Sequence, residues 1–256
     1  MSKFKNIKQI HSRESSDLFE MEDEDGHLFI KKQLKTEATD EQRRMFLNEI
    51  SLLNEIHSDF IIPIIEYNTG DEVPYFIMPK AATNLEDYLK TKCGYSEIWI
   101  IDQIILGIQA LHDKKILHLD LNPRNVLIFI DAKGNKSIKI SDLDHALHID
   151  DLKNLDDREI TLYGTLTYIP PRDMHSIKDA DFSSDIYNIG KLLHHVLTGK
   201  LFTYNSDFLE TSGGFGGIMI RAVFDDDDPY YKSTDLLIRE IAEAKRYEEL
   251  FPCFKS

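Results

Sequence analysis

The chain has 256 residues, 42% hydrophobic and 29% charged, with a formal net charge of −15. That length buries one large core or two small lobes, and the acidic surplus argues against a protein that grips nucleic acid through its phosphates. No apolar run is long enough to span a bilayer. The start, residues 1–6, lacks the apolar core of a signal peptide, and Cys93 and Cys253 offer neither a disulfide framework nor a metal-ligand spacing.

Taken in chain order, residues 18–21 and 28–30 read as strands around the acidic turn 22–26, which ends in Gly26. Thr39-Asp40-Glu41 starts a helix whose apolar faces are Met45, Ile50, Leu52, Leu53 and Ile56. Residues 60–65 and 75–78 follow as short buried strands, with Thr69-Gly70-Asp71 as the turn. Past Pro79-Lys80 the pattern turns helical: residues 85–89, a long apolar-faced run 98–112, residues 183–197 with Gly199 as the stop, and residues 236–247. The glycine-dense stretch 213–217 reads as a flexible loop. A small strand-rich half followed by a larger helical half is a two-lobed α+β arrangement, with the crevice between the lobes as the default ligand site.

The chemistry concentrates in His118-Leu119-Asp120-Leu121-Asn122-Pro123-Arg124-Asn125-Val126-Leu127 and in Ile138-Lys139-Ile140-Ser141-Asp142. An aspartate, an asparagine five residues on and a later strand-borne aspartate are what phosphoryl transfer needs. One group orients an acceptor hydroxyl, and two oxygen ligands hold Mg²⁺ on nucleotide phosphates. The competing reading, in which Asp120 and Asn125 merely cap helices and turns, has to contend with a series of further motifs downstream.

These segments resemble the catalytic loop and metal-binding segment of the protein-kinase superfamily. The resemblance runs from about residue 18 to residue 236. Gly164-Thr165-Leu166-Thr167-Tyr168-Ile169-Pro170-Pro171-Arg172 resembles the peptide-docking loop and the Ala-Pro-Glu motif. Asp185-Ile186-Tyr187-Asn188-Ile189-Gly190 resembles the buried helix whose aspartate anchors the catalytic loop, and Asp228-Pro229-Tyr230-Tyr231-Lys232 the closing Asp-Pro-x-x-Arg. The implied fold is that of a two-lobed kinase, with residues 1–79 as the N-lobe and 80–256 as the C-lobe.

The resemblance implies site residues. Asp120 orients the hydroxyl, and Asn125 and Asp142 are metal ligands. Lys31 grips the nucleotide phosphates and pairs with Glu49; Lys32 is its alternative, and strand alternation sets Lys31 on one face with Phe29, opposite Ile30. Leu18, Phe29, Met78, Lys80, Ala81 and Leu127 border the nucleotide, with Met78 as gatekeeper and Pro79, Lys80 and Ala81 as hinge. His118 braces the loop, and Thr165 lies beside Asp120 as in Ser/Thr-specific enzymes. ATP and Mg²⁺ are the implied cofactors.

Departures from the pattern are many. The glycine-rich loop is absent, its three positions falling on His11, Arg13 and Ser16. Arg13 or the hydroxyls of Ser12, Ser15 and Ser16 are candidates to contact phosphate in place of the missing backbone cradle. Phe29 stands for the alanine that packs on adenine, Leu119 for the arginine before the catalytic aspartate, Asn122 for the catalytic-loop lysine, and Asp144 for a glycine. Arg172 and Lys232 replace an ion-paired glutamate and arginine, so another acid, within residues 225–228, is expected to satisfy them.

The expected function is that of a divergent Ser/Thr protein kinase. The alternatives are a pseudokinase that signals by binding and a small-molecule kinase, against which the segment 164–172 speaks. The net charge serves solubility first, and acidic segments such as 150–159 and 225–228 favour a basic protein partner. A cytoplasmic monomer is expected, or one delivered into a host cell's cytoplasm, with no nucleic-acid or membrane partner.

Overall fold

In β3 (Leu28–Leu34) Ile30, Lys32 and Leu34 are buried, while Phe29, Lys31 and Gln33 on the other face are half-exposed. This alternation organises the N-terminal sheet. The computed structural model describes residues 4–70, 73–154, 165–202, 213–224 and 229–250. Its first sheet is antiparallel, in the order β1-β2-β3-β5-β4, from β1 (Lys5–Ser12), β2 (Ser16–Glu22), β3, β4 (Glu66–Asn68) and β5 (Tyr75–Pro79). β1, exposed along its whole length, adds an outer strand that the alternation pattern did not announce.

The residues 60–65, expected as a strand, contribute one parallel bridge, Ile61 to Ile140, and the regular strand begins at Glu66. Those six residues run from Ile140 to the first sheet, where the Ile65 N–H bonds Ile77 O at 2.8 Å. Ile61 and Ile62 are buried there, so their apolar run reflects burial rather than strand pairing.

Helix α1 (Asp40–Glu55) starts at a reciprocal cap: Thr39 accepts from the Gln42 N–H while the Gln42 side chain accepts from the Thr39 N–H. Phe46, Ile50, Leu52 and Leu53 form its buried face, and Glu49 is buried among them. A charged group so placed requires a partner.

After β6 (Thr83–Asn84) and α2 (Leu85–Leu89), α3 (Trp99–His112) buries Ile100, Ile101, Ile104, Ile105, Ile108 and Leu111. Each such side chain contributes roughly 1.5–3 kcal/mol relative to exposure. Beside it lie β7 (Ile116–Leu117), β8 (Val126–Ile130) and β9 (Lys136–Ile140). β6, β8 and β9 form a three-stranded sheet, and β7 pairs with β10 (Leu147–His148), which leads into α4 (Ile149–Leu152).

α5 (Phe182–Thr198) is capped by Asp181 and ends at Gly199, whose φ of 73° only glycine adopts at little cost. Residues 213–217 are not the expected loop but the first turns of α6 (Gly213–Val223). Glycine's poor helix propensity is overridden here by close packing. A Cβ on Gly214 would stand 3.0 Å from that of Ala244 in α7 (Thr234–Leu250), and one on Gly190 of α5 would meet Ala222 at 2.7 Å.

Candidate active site

The centre of the site is Lys32. Its Nζ donates to Glu49 Oε2 and to Asp142 Oδ1, each at 2.7 Å, and only 5% of its side chain is exposed. One cation thus ties β3 to α1 and to the segment following β9. Asp144 reaches to 4.0 Å of the same nitrogen, and Arg13 Nη1 lies 2.5 Å from Asp142 Oδ2.

Two cations therefore serve three carboxylates. Burial would push the Asp142 carboxyl up, but Lys32 and Arg13 hold it well below the usual carboxylate range. Burial also disfavours the Lys32 ammonium, and Asp142 and Glu49 outweigh it, carrying the group above the ordinary lysine value. Glu49, the innermost acid, is raised by burial despite its ammonium partner.

Lys32, and not the expected Lys31, is the partner of Glu49. Lys31 lies on the opposite face, its Nζ 4.3 Å from the centre of the Tyr75 ring. Phe29 shares that face and packs edge-on against Phe4 at 5.0 Å between centroids, next to Met21 and Ile77. It does not enter the cleft, and Ile30 takes the place expected of it. The period-two alternation holds, and the inward face is that of Ile30, Lys32 and Leu34 rather than that of Phe29 and Lys31.

The cleft is a cavity of about 340 Å³. Leu18, Ile30, Met78 and Leu127 give it apolar walls, Pro79, Lys80 and Ala81 close one side, and Lys32, Glu49 and Asp142 stand at the other end. Lys80 turns its ammonium to Glu20, and its N–H bonds Leu28 O at 3.2 Å. Arg13 and Lys32 also border a second cavity of about 490 Å³, lined by Gln42, Phe46, Asp144 and His145.

Asp120 is held by a separate network. Thr165 N–H donates to its Oδ1 at 2.6 Å, and Asn125 Nδ2 donates to its Oδ2 at 3.0 Å and to its backbone oxygen at 2.8 Å. Asn122 Nδ2 bridges the Asp120 carbonyl at 3.0 Å and the Thr165 hydroxyl at 3.1 Å. Thr165 does lie beside Asp120, and Asn122 makes the tie to it with no charge. Asn125 spends its amide hydrogens on Asp120, which leaves its amide oxygen to accept or to bind a cation.

The backbone of this loop is anchored by Asp185 of α5, fully buried, which accepts the N–H groups of His118 at 3.0 Å and Leu119 at 3.1 Å. Leu119 has φ +62° and Asp142 φ +65°, left-handed conformations that cost energy for residues with a Cβ. His118 is fully buried and its Nδ1 accepts from the Asp120 N–H at 3.3 Å, a bracing role as expected.

A model of the protein kinase domain matches residues 5–233, 229 of the 256 positions. The chain belongs to the protein kinase family. It is similar to "Aurora kinase" of Patiria pectinifera, 29% identical over 180 residues, covering 68% of this chain and 41% of that protein. It is 31% identical over 158 residues to "Probable serine/threonine-protein kinase MRK1 homolog" of Encephalitozoon cuniculi, covering 59% and 47%. It is 26% identical over 212 residues to "Dual specificity protein kinase TTK" of Mus musculus, covering 76% and 24%. The chain spans less than half the length of these relatives.

Within this kinase domain, Arg172 pairs with acids close to it in sequence. Its guanidinium meets Asp181 Oδ1 at 2.9 Å and Asp173 Oδ1 at 3.2 Å, and donates to the Ser183 hydroxyl at 2.6 Å. The expected acids, residues 225–228, lie outside the described residues, as does Gly164. The signal was present in Arg172-Asp173 and in the capping Asp181, both close in sequence to the arginine.

Proposed function

We propose that this kinase domain transfers the γ-phosphoryl group of ATP to serine or threonine hydroxyls of a protein substrate. The observation that carries the reading is the Lys32 bridge between Glu49 and Asp142. It sets a buried cation on Asp142, beside an apolar cleft of nucleotide size. Leu18, Ile30, Met78 and Leu127 would enclose the base, with Pro79 to Ala81 beside it. Lys32 would hold phosphate oxygens.

The carboxylate of Asp142 and the amide oxygen of Asn125 are hard donors of the kind Mg²⁺ takes, so these residues fit the metal. When bound there, the ion neutralises charge on the phosphates. Asp120 would accept the hydrogen bond of the substrate hydroxyl and take its proton late in the transfer. Thr165, hydrogen-bonded to Asp120 and Asn122, supports the Ser/Thr preference, because a residue there shapes the space in which a short hydroxyl must fit. The net charge of −15 supports a basic substrate.

Radiolabelled γ-phosphate transfer to a generic basic protein tests the reading. Label is expected with the wild type and is lost in Asp120→Ala. No label from either would leave the second reading, a pseudokinase, which the Arg13–Asp142 ion pair and the missing loop glycines favour.

A further inference from the structure

Arg13 stands in the short connection between β1 and β2, where its N–H bonds Ser16 O at 2.8 Å and closes a tight turn over the cleft. The side chain leaves this turn, enters the cleft and ends on Asp142 Oδ2, while Lys32 takes Oδ1. Both oxygens of Asp142 thus carry a cation. A metal ion held by this carboxylate would compete with both for its lone pairs, and the two are not equally held. Lys32 is also fixed by Glu49 and is 5% exposed. Arg13 has Asp142 as its one hydrogen-bonding side-chain partner among the described residues and is 39% exposed.

Arg13 is therefore the cation that gives way. Its guanidinium stays charged at any working pH and seeks another anion. It already borders both the nucleotide cleft and the adjoining cavity. The turn that carries it has no glycine in residues 13–16, so close backbone approach to phosphates is hindered. We infer that Arg13 is a phosphate-binding residue, which leaves Asp142 when a nucleotide enters and grips the nucleotide's phosphate oxygens in place of a glycine-built backbone cradle.

A planar fork of N–H donors matches phosphate oxygens in a way that a single ammonium does not. This rests on the cleft being a nucleotide site, as proposed above. The test is calorimetric binding of Mg·ATP and of adenosine, which has no phosphate, to the wild type, Arg13→Gln and Arg13→Lys. Arg13→Gln is expected to weaken ATP by about tenfold or more and to leave adenosine unchanged, with Arg13→Lys in between.

Equal ATP binding by wild type and Arg13→Gln overturns the assignment while the nucleotide site stands. Tighter ATP binding by Arg13→Gln also overturns it, since the arginine would then be a plug. Equal loss of ATP and adenosine overturns it as well, because adenosine offers Arg13 nothing to hold. If the wild type binds neither ligand, the nucleotide reading itself fails and takes this one with it.

Discussion

Lys32 and Glu49 form a buried ion pair at 2.7 Å, and the neighbouring Lys31 points away to the Tyr75 ring. The two adjacent lysines make a controlled comparison. Lys32→Ala removes the charge that orders Glu49 and Asp142, and phosphoryl transfer is expected to fall by about 10²–10³. Lys31→Ala is expected to change it by less than about twofold, since Lys31 lies over the Tyr75 ring on the face turned away from the cleft, and losing that contact bears on stability rather than on the rate. Initial rates of the purified variants decide this, and equal losses from both lysines would refute the assignment.

Asp185 organises the catalytic loop from beneath. It accepts two backbone N–H groups and lies 2.8 Å from His112 Nε2. Asp185→Asn keeps the shape but removes the charge that makes these bonds strong, and should cost about 1.5–3 kcal/mol in urea unfolding. The rate should fall as well, because the left-handed backbone at Leu119 loses its anchor. Although burial would raise the Asp185 carboxyl, the hydrogen bond from His112 helps to hold it below its usual value. Its contribution is therefore present above the unfolded carboxylate pKa of about 3.9 and disappears as pH falls through the lower folded value.

Arg172 stands where many kinases have glutamate, and restoring the glutamate is expected to harm this protein. Arg172→Glu would set a third acid beside Asp173 and Asp181 and remove the donors to Ser183 and Ser184. Breaking a buried pair in this way costs about 3–5 kcal/mol. With Asp181 half-exposed the lower end applies. Thermal melting should show a fall of several degrees, and Arg172→Lys a smaller one. A glutamate variant as stable as the wild type would show that the arginine network contributes nothing.

The segments that carry Asp120, Asn125, Asp142 and Asp185 were legible because their residues, in this order, resemble protein-kinase motifs. The choice between Lys31 and Lys32 was harder. A strand offers two faces, and which one turns inward depends on where α1 packs. The neighbours held the answer: Ile30 and Leu34 flank Lys32 on one face, and polar Gln33 shares the face of Lys31. Helix α6 was hidden because its glycines read as a loop when taken alone, and the approach of α7 gives Gly214 a packing reason that the sequence does not show. Arg13 and Arg172 were visible as departures, but their partners come from folding or from nearby acids that no motif marks.

Lys191 on α5 predicts a pH dependence in the alkaline range. Its ammonium donates to Thr167 O and is surrounded by the Tyr168, Tyr187 and Phe202 rings at 5.3, 5.4 and 5.8 Å. Burial pushes its pKa down to about 8. Below that pH both folded and unfolded chains carry the charge, and the folded one bears the full cost of burying it. Between pH 8 and the unfolded value of about 10.4, the unfolded chain binds the extra proton, so this group's contribution to stability rises with pH. In urea unfolding, the wild type is therefore expected to gain on Lys191→Met across that window by on the order of 1–2 kcal/mol, allowing for the solvent that reaches the group. A stability difference independent of pH from 7 to 10.5 would show that the surrounding rings compensate the burial completely and leave the lysine charged throughout.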